Sequence, residues 1–165
     1  MICWLVLALL IPASAAAPEL EIASGGSHPA NPEVLALVRS YIPHLIGWTS
    51  AAARDEKRRP MVVPGYFYHG IDGSFIGFDG LTARHTKNDL RILDRKFFDV
   101  VLHQYENTAI LTYKDWSRGT DKGQPFEGYG SAALVMTRTA EGWRVAADIV
   151  GQDPPEPKPQ EVKKD

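Results

Sequence analysis

The chain has 165 residues and a mass of 18.2 kDa, room for one ordinary domain rather than two. Lys+Arg number 18 against 20 Asp+Glu, a formal charge of -2, which leaves no basic footprint for nucleic acid. A hydrophobic fraction of 44% with 23% charged residues excludes a disordered chain, and the single Cys3 excludes an internal disulfide.

The first segment is an apolar run over residues 2–12, ICWLVLALLIP, followed by Ala13, Ser14, Ala15, Ala16 and Ala17. An apolar core followed by A-x-A is the pattern of a secretory signal peptide, and the run is shorter than the ~20 residues of a membrane span. No Lys or Arg precedes it, and an uncleaved N-terminal anchor is the alternative. Cleavage after Ala15 is expected, because a cut after Ala17 would fall at Pro18. The expected location is therefore secreted or periplasmic, with no membrane attachment once residues 1–15 are removed. The mature chain then has no cysteine, hence no thiol nucleophile and no thiolate metal site. Residues 16–30, with Ser24-Gly25-Gly26-Ser27, read as a flexible leader. Residues 31–152 are the folded body. Residues 153–165, DPPEPKPQEVKKD, read as a disordered Pro-rich and charged tail.

The body opens with Asn31-Pro32-Glu33, a strong helix start: Asn caps, Pro fits the first turn, and Glu meets the positive end. Val34, Val38, Tyr41, Leu45, Trp48 and Ala52 recur at helical spacing and predict one continuous stripe, kinked near Pro43. The run Arg54-Asp55-Glu56-Lys57-Arg58-Arg59 reads as a solvated helix end stopped by Pro60, with an anion site as the sharper alternative. Residues 61–69, rich in β-branched and aromatic side chains, predict a strand, with a turn at Asp72-Gly73 and a short return over 74–78. A second helix is expected from Asp79, its candidate cap, toward Leu90. A meander then follows, with strands over 95–105, 108–117, 125–139 and 143–150. Short turns between strands argue antiparallel pairing, and helices followed by a meander make the class α+β with the helices on one face.

Asn107-Thr108-Ala109-Ile110-Leu111-Thr112, then Gly119 and Gly123-Gln124-Pro125, then Glu141-Gly142-Trp143-Arg144-Val145, form a familiar succession of turns and strands. Over residues 31–150 the chain resembles the nuclear transport factor 2-like superfamily, in its SnoaL-like and ketosteroid-isomerase-like branch. The resemblance implies a cone: a curved antiparallel sheet closed by N-terminal helices around a pocket, often forming a homodimer through the sheet. It also implies either binding without turnover or proton transfer beside a carbonyl, with a pocket carboxylate as base and a Tyr or protonated Asp as donor. The branch often carries His where this chain has Asp148.

Candidate site residues are the polar groups that interrupt apolar strands. Asp148 lies in Val145-Ala146-Ala147-Asp148-Ile149-Val150 and by alternation shares a face with Arg144. It is either paired on the outer face or set in the cavity. Asp99 and His103, four residues apart, form either an acid–base pair or one polar row of a half-exposed strand. With Asp148 they are the catalytic candidates. Trp48, Tyr66, His69, Tyr113 and Trp143 are the candidate ligand-binding residues, with core packing as the alternative role for the aromatics. Tyr113 is expected to lie across the hairpin from Asp99 or Val100. His69, His85 and His103 have no metal-ligand spacing, the Asp-Gly pairs lack a calcium-loop pattern, and no Gly-rich phosphate loop follows a strand. No metal and no cofactor is expected. The reading is an exported domain with an apolar pocket for a small molecule. The alternative is a proton-transfer enzyme of the isomerase, cyclase or dehydratase type.

Overall fold

The structure is a computed structural model and describes residues 20–26 and 28–151. The expected signal peptide, its cleavage site and the expected C-terminal tail lie outside the described residues.

Helix α1 runs Pro32–Tyr41, and the Asn31 side chain accepts the Glu33 N–H at 2.8 Å, as its capping residues dictate. The expected continuous helix ends there. A 3-10 turn covers Ile42–Leu45 around Pro43, Ile46 is extended, and Gly47 has a φ of 55°. Trp48 then pairs with Ile92 through two backbone hydrogen bonds of 2.7 and 2.9 Å. Ser50 caps a new helix, α2 over Ala51–Arg58, by accepting from the Ala53 N–H at 3.3 Å. The proline therefore breaks the helix rather than kinking it, because a capping serine restarts it seven residues on. The burial stripe Val34, Val38, Tyr41, Leu45 and Trp48 is as expected, but Ala51 takes the buried place expected of Ala52.

The strands are β1 Ala23–Gly26, β2 Val62–His69, β3 Phe75–Gly77, β4 Arg91–Gln104, β5 Thr108–Asp121, β6 Gln124–Thr139 and β7 Gly142–Gly151. Helix α3, Phe78–Lys87, follows β3, with Gly77 at its N-cap position and no side-chain cap. Asp79 is not its cap and instead pairs with Arg59 at 2.6 Å on the surface. The order across the sheet is β1-β4-β5-β6-β7-β2-β3, an open seven-stranded sheet. The α+β class and the helix-covered face are as expected. Two pairings are parallel, β1 with β4 and β2 with β7, so the sheet is mixed rather than wholly antiparallel. Ala23–Gly26, expected within a flexible leader, instead forms the edge strand beside Val101–Gln104.

Two bulges decide which side chains turn inward. In β7, Val145 pairs with Met136 and Ala147 with Val135, leaving Ala146 as the extra residue. Alternation shifts there, so Asp148 is buried with Trp143 and Val145 while Ile149 is 37% exposed. In β4, Phe98 pairs with Lys114 and Val101 with Thr112, so Asp99 and Val100 together face Tyr113. Asp99 takes a φ of 50° in this bulge. Tyr113 thus lies across from Asp99 and Val100, as the hairpin suggested.

The main core joins Val34, Val38 and Tyr41 of α1, Leu102 of β4, Leu111 of β5, Met136 of β6 and Trp143 of β7. Trp143 is 4% exposed. Trp48 is buried too, in a separate small cluster with Ala51 and Ile92. Trp143→Ala should lower unfolding free energy by about 3–5 kcal/mol in a denaturant titration, because a large aromatic leaves a cavity that the sheet cannot fill. A transition midpoint unchanged by this substitution would refute the placement of Trp143 in the core.

Candidate functional site

The concave side of the sheet holds a buried polar cluster that begins on α2. Arg54, Asp55 and Arg58 fall on one face of that helix at positions i, i+1 and i+4 and are all buried. This overturns the reading of the run as a solvated helix end: its outward positions are solvated, and its inward ones are not. Arg54 grips Asp55 with two hydrogen bonds, Nε to Oδ1 at 2.6 Å and Nη2 to Oδ2 at 2.7 Å. Arg58 Nη1 donates to Asp55 Oδ1 at 3.0 Å, and the Thr82 hydroxyl of α3 donates to Oδ2 at 2.7 Å. Burial pushes the Asp55 carboxyl up, but Arg54, Thr82 and Arg58 outweigh it and hold it below the ordinary carboxylate range.

Arg58 reaches further inward. Its Nη2 donates to the Tyr41 hydroxyl and lies 3.8 Å from Asp148 Oδ2. Its guanidinium also stands 4.6 Å from the Tyr41 ring centre. Burial of Arg58 opposes its charge, yet Tyr41, Tyr66 and Asp148 overcome that and raise its pKa. Burial pushes the Tyr41 phenol up to about 12, and it pushes the Tyr66 and Tyr113 phenols well above the ordinary tyrosine value.

Asp148 is the weakly partnered member. It sits in register with Tyr68 on one side and Leu134 on the other. Its Oδ1 is buried and has no hydrogen-bond partner, and the same holds for the Tyr66 hydroxyl and for Arg58 Nε. Burial raises the Asp148 pKa, and Arg58, Arg95 and Arg54 offset only part of that rise. The shift favours the protonated carboxyl relative to an exposed one, and a protonated carboxyl is a hydrogen-bond donor.

Across the sheet, Arg95 of β4 donates Nε to Asp115 Oδ2 of β5 at 2.7 Å. Phe97, two residues on, meets Tyr113 edge-on with ring centres 5.0 Å apart. Arg95 and Phe97 also line a groove of about 1240 Å³ between β4, the Ile42–Leu45 turn and the segment from Leu20 to Ala23. Its apolar walls include Leu20, Ile22, Ile42, Ile46 and Val100. The groove and the polar cluster therefore share one boundary, the Arg95–Phe97 stretch of β4.

The expected site residues divide into three groups. Asp148, Tyr66 and Tyr113 belong to the polar cluster. Trp143 is core, with its indole N–H buried and unpartnered. Trp48 lies outside the groove lining, stacked under Arg54 at 4.0 Å and beside His85 at 5.8 Å. Asp99 and His103 do not form a pair in this cluster. Asp99 bonds Lys114 at 3.2 Å on the exposed side, and His103 lies in register with Gly25 of β1. His69 packs on Phe75, with ring centres 4.3 Å apart, on the opposite face from Tyr66 and Tyr68. Sequence reasoning missed Tyr41, Arg58 and Arg95 as site residues. The i, i+4 spacing of Arg54 and Arg58 was the available signal, but the expected stripe through Ala52 set them off the buried face, and the shift to Ala51 turns them inward. No group of three or more His, Cys, Asp and Glu among the described residues is arranged to hold a metal ion.

No protein-family model matches the chain, and no curated protein matches it. Solved structures do. An NTF2-like protein from Cytophaga hutchinsonii superposes with a TM-score of 0.62 at 10% identity, covering 75% of this chain and 100% of that one. The chain has the nuclear transport factor 2-like fold. A candidate ketosteroid isomerase from Shewanella frigidimarina gives a TM-score of 0.57 at 14% identity, covering 73% and 96%. The association domain of CaMKII from C. elegans gives 0.54 at 11%, covering 73% and 93%. Isomerase and association domain share this NTF2-like scaffold, so the fold leaves function to the site.

The cluster makes acid sensitivity a property of the folded state. His85 Nδ1 accepts from Arg54 Nη2 at 3.0 Å, since a guanidinium only donates. Burial, then the Arg54 charge, lower the His85 pKa from 6.5 to about 3. Between those values the unfolded chain holds the extra proton, so stability falls as pH drops, by up to about 1.4 kcal/mol per pH unit. Asp148 acts in the opposite sense: its raised pKa removes stability as pH climbs above the ordinary carboxylate value. His85→Gln keeps an acceptor for Arg54 and should flatten the loss of stability between about pH 6.5 and 4.5. Chemical denaturation across that range checks it, and an unchanged slope would exclude a neutral buried His85.

Proposed function

We propose that the chain is an exported binding domain that holds a small, largely apolar molecule in the groove beside β4, without turning it over. The observation that carries this reading is the groove itself: about 1240 Å³ of space with predominantly aliphatic and aromatic walls. Export is supported by the apolar run and Ala-Ser-Ala site of the sequence. Self-association through the sheet belongs to the same reading. Phe67 at 39% exposure and Phe75 at 69% leave apolar surface on the sheet beside β7, and association domains occur among the similar structures.

The groove reading predicts a specific loss. Ile46→Trp fills the groove from the wall that follows the Ile42–Leu45 turn, while Ile46 itself is only half-buried. This variant should keep the native denaturation midpoint to within about 1 kcal/mol and lose binding of an apolar fluorescent probe. Retained probe affinity in Ile46→Trp would move the binding site elsewhere.

A second reading, proton transfer at Asp148, is favoured by one observation: a buried carboxyl of raised pKa beside the unpartnered Tyr66 hydroxyl. Tyr66→Phe separates the two. The hydroxyl it removes makes no bond, so its stability effect should lie within about 1 kcal/mol of zero or be favourable. If an isomerisation of a β,γ-unsaturated ketone is detected, the proton-transfer reading requires that Tyr66→Phe and Asp148→Asn both abolish it. Turnover that survives both substitutions would eliminate that reading.

A further inference from the structure

The polar chemistry of the groove is concentrated in one side chain. Arg95 spends its Nε on Asp115, and its guanidinium carbon lies 5.5 Å from the Phe97 ring centre. Those two contacts fix its plane. Its two terminal nitrogens make no hydrogen bond to any described residue, and neither is sealed from solvent. The side chain is 17% exposed, and Arg95 forms part of the groove wall. A guanidinium held at Nε, with both terminal nitrogens free, is a fork that matches the two oxygens of a carboxylate.

The surrounding charge has the same sense. Arg39 and Lys96 line the same groove. Of the two acidic residues in its lining, Asp99 is occupied by Lys114 at 3.2 Å, which leaves Glu21. Asp115 offsets the Arg95 charge, but it does so from the Nε side and behind the groove wall. The remaining lining is apolar, so a simple anion would leave most of the space unfilled.

Resting on the groove being a binding site, we propose that its ligand class is the amphipathic carboxylate. An apolar chain or ring system lies against Ile42, Ile46 and Val100, and its carboxylate sits on the terminal nitrogens of Arg95. Two charge-assisted hydrogen bonds that a neutral analogue cannot make should weaken that analogue by roughly 10- to 100-fold.

The test is calorimetric titration of the full chain with decanoate and with decanol, which share a chain length and differ in charge. Tighter binding of decanoate by at least about tenfold, lost in Arg95→Gln and kept in Arg138→Gln, an exposed arginine outside the groove, supports the assignment. Equal affinities for the two probes overturn it, and if Ile46→Trp blocks both, the groove reading survives without the anionic anchor. A decanoate preference that persists in folded Arg95→Gln also overturns it. If neither probe binds, the anchor and the groove reading fail together. Should Arg95→Gln not fold, the comparison of the two probes on the native chain decides by itself, and Arg95→Lys, which keeps the charge but not the fork, should lose most of the preference.

Discussion

Everything on the concave side of this sheet depends on how Arg58 is buried. Its side chain is 1% exposed, at the meeting point of α1, α2 and β7. Removing a guanidinium from water costs several kcal/mol after relaxation, so the site is viable only if partners surround the charge. Asp55 and Tyr41 supply the close ones. Asp55 in turn is fixed by Arg54 and by Thr82, which draws α3 into the same network. Helix α2 is therefore oriented by charge matching as much as by apolar burial. Its inward face carries two arginines and one aspartate, with only Ala51 as an apolar companion.

That arrangement explains why Asp148 differs from the other buried carboxylates. Arg58 has its terminal nitrogens committed to Asp55 and Tyr41, and Asp148 receives only a 3.8 Å approach from one of them. Asp115, by contrast, has Arg95 at 2.7 Å, and Asp55 is bound by three separate side chains. Burial without a close partner is the condition that raises a carboxyl pKa. The raised Asp148 is thus the residue left over when a buried arginine is satisfied elsewhere, and the unpartnered Tyr66 hydroxyl beside it has the same origin.

Much of the architecture was legible because backbone signals are local. Asn31-Pro32-Glu33 caps α1, and Glu141-Gly142 before Trp143 turns the chain into β7. Asp148 was legible as an anomaly, a charge inside an apolar strand. Its facing was not, because alternation assumes an unbroken register and the extra Ala146 shifts it. Asp99 and His103 form no acid–base pair, which leaves the polar row of a half-exposed strand, and the bulge that sets the Asp99 carboxylate beside Lys114 is not visible in the local pattern. The charged stretch after Ser50 was misread for another reason. A run of six charged residues on a helix is normally solvated, and only the tertiary position of Tyr41, Thr82 and Asp148 shows that three of the six turn inward. The parallel pairing of β2 with β7 is a long-range contact that no local pattern encodes.

The geometry also ranks the two functional readings by reach. A molecule in the groove touches Arg95, Phe97 and Val100 directly. Behind Phe97 stands Tyr113, buried and packed against it edge-on, and Asp148, also buried, is not among the groove's lining residues. Proton transfer at Asp148 requires substrate within hydrogen-bond distance of its carboxyl, which is buried and outside the groove lining, so a molecule held in the groove reaches it only after rearrangement. Binding beside β4 requires no such rearrangement, since the groove is already open and Arg95 is part of its wall. Arg95 links the two readings: Asp115 holds its Nε, its side chain forms part of the groove wall, and its charge offsets part of the burial effect on the Asp148 carboxyl.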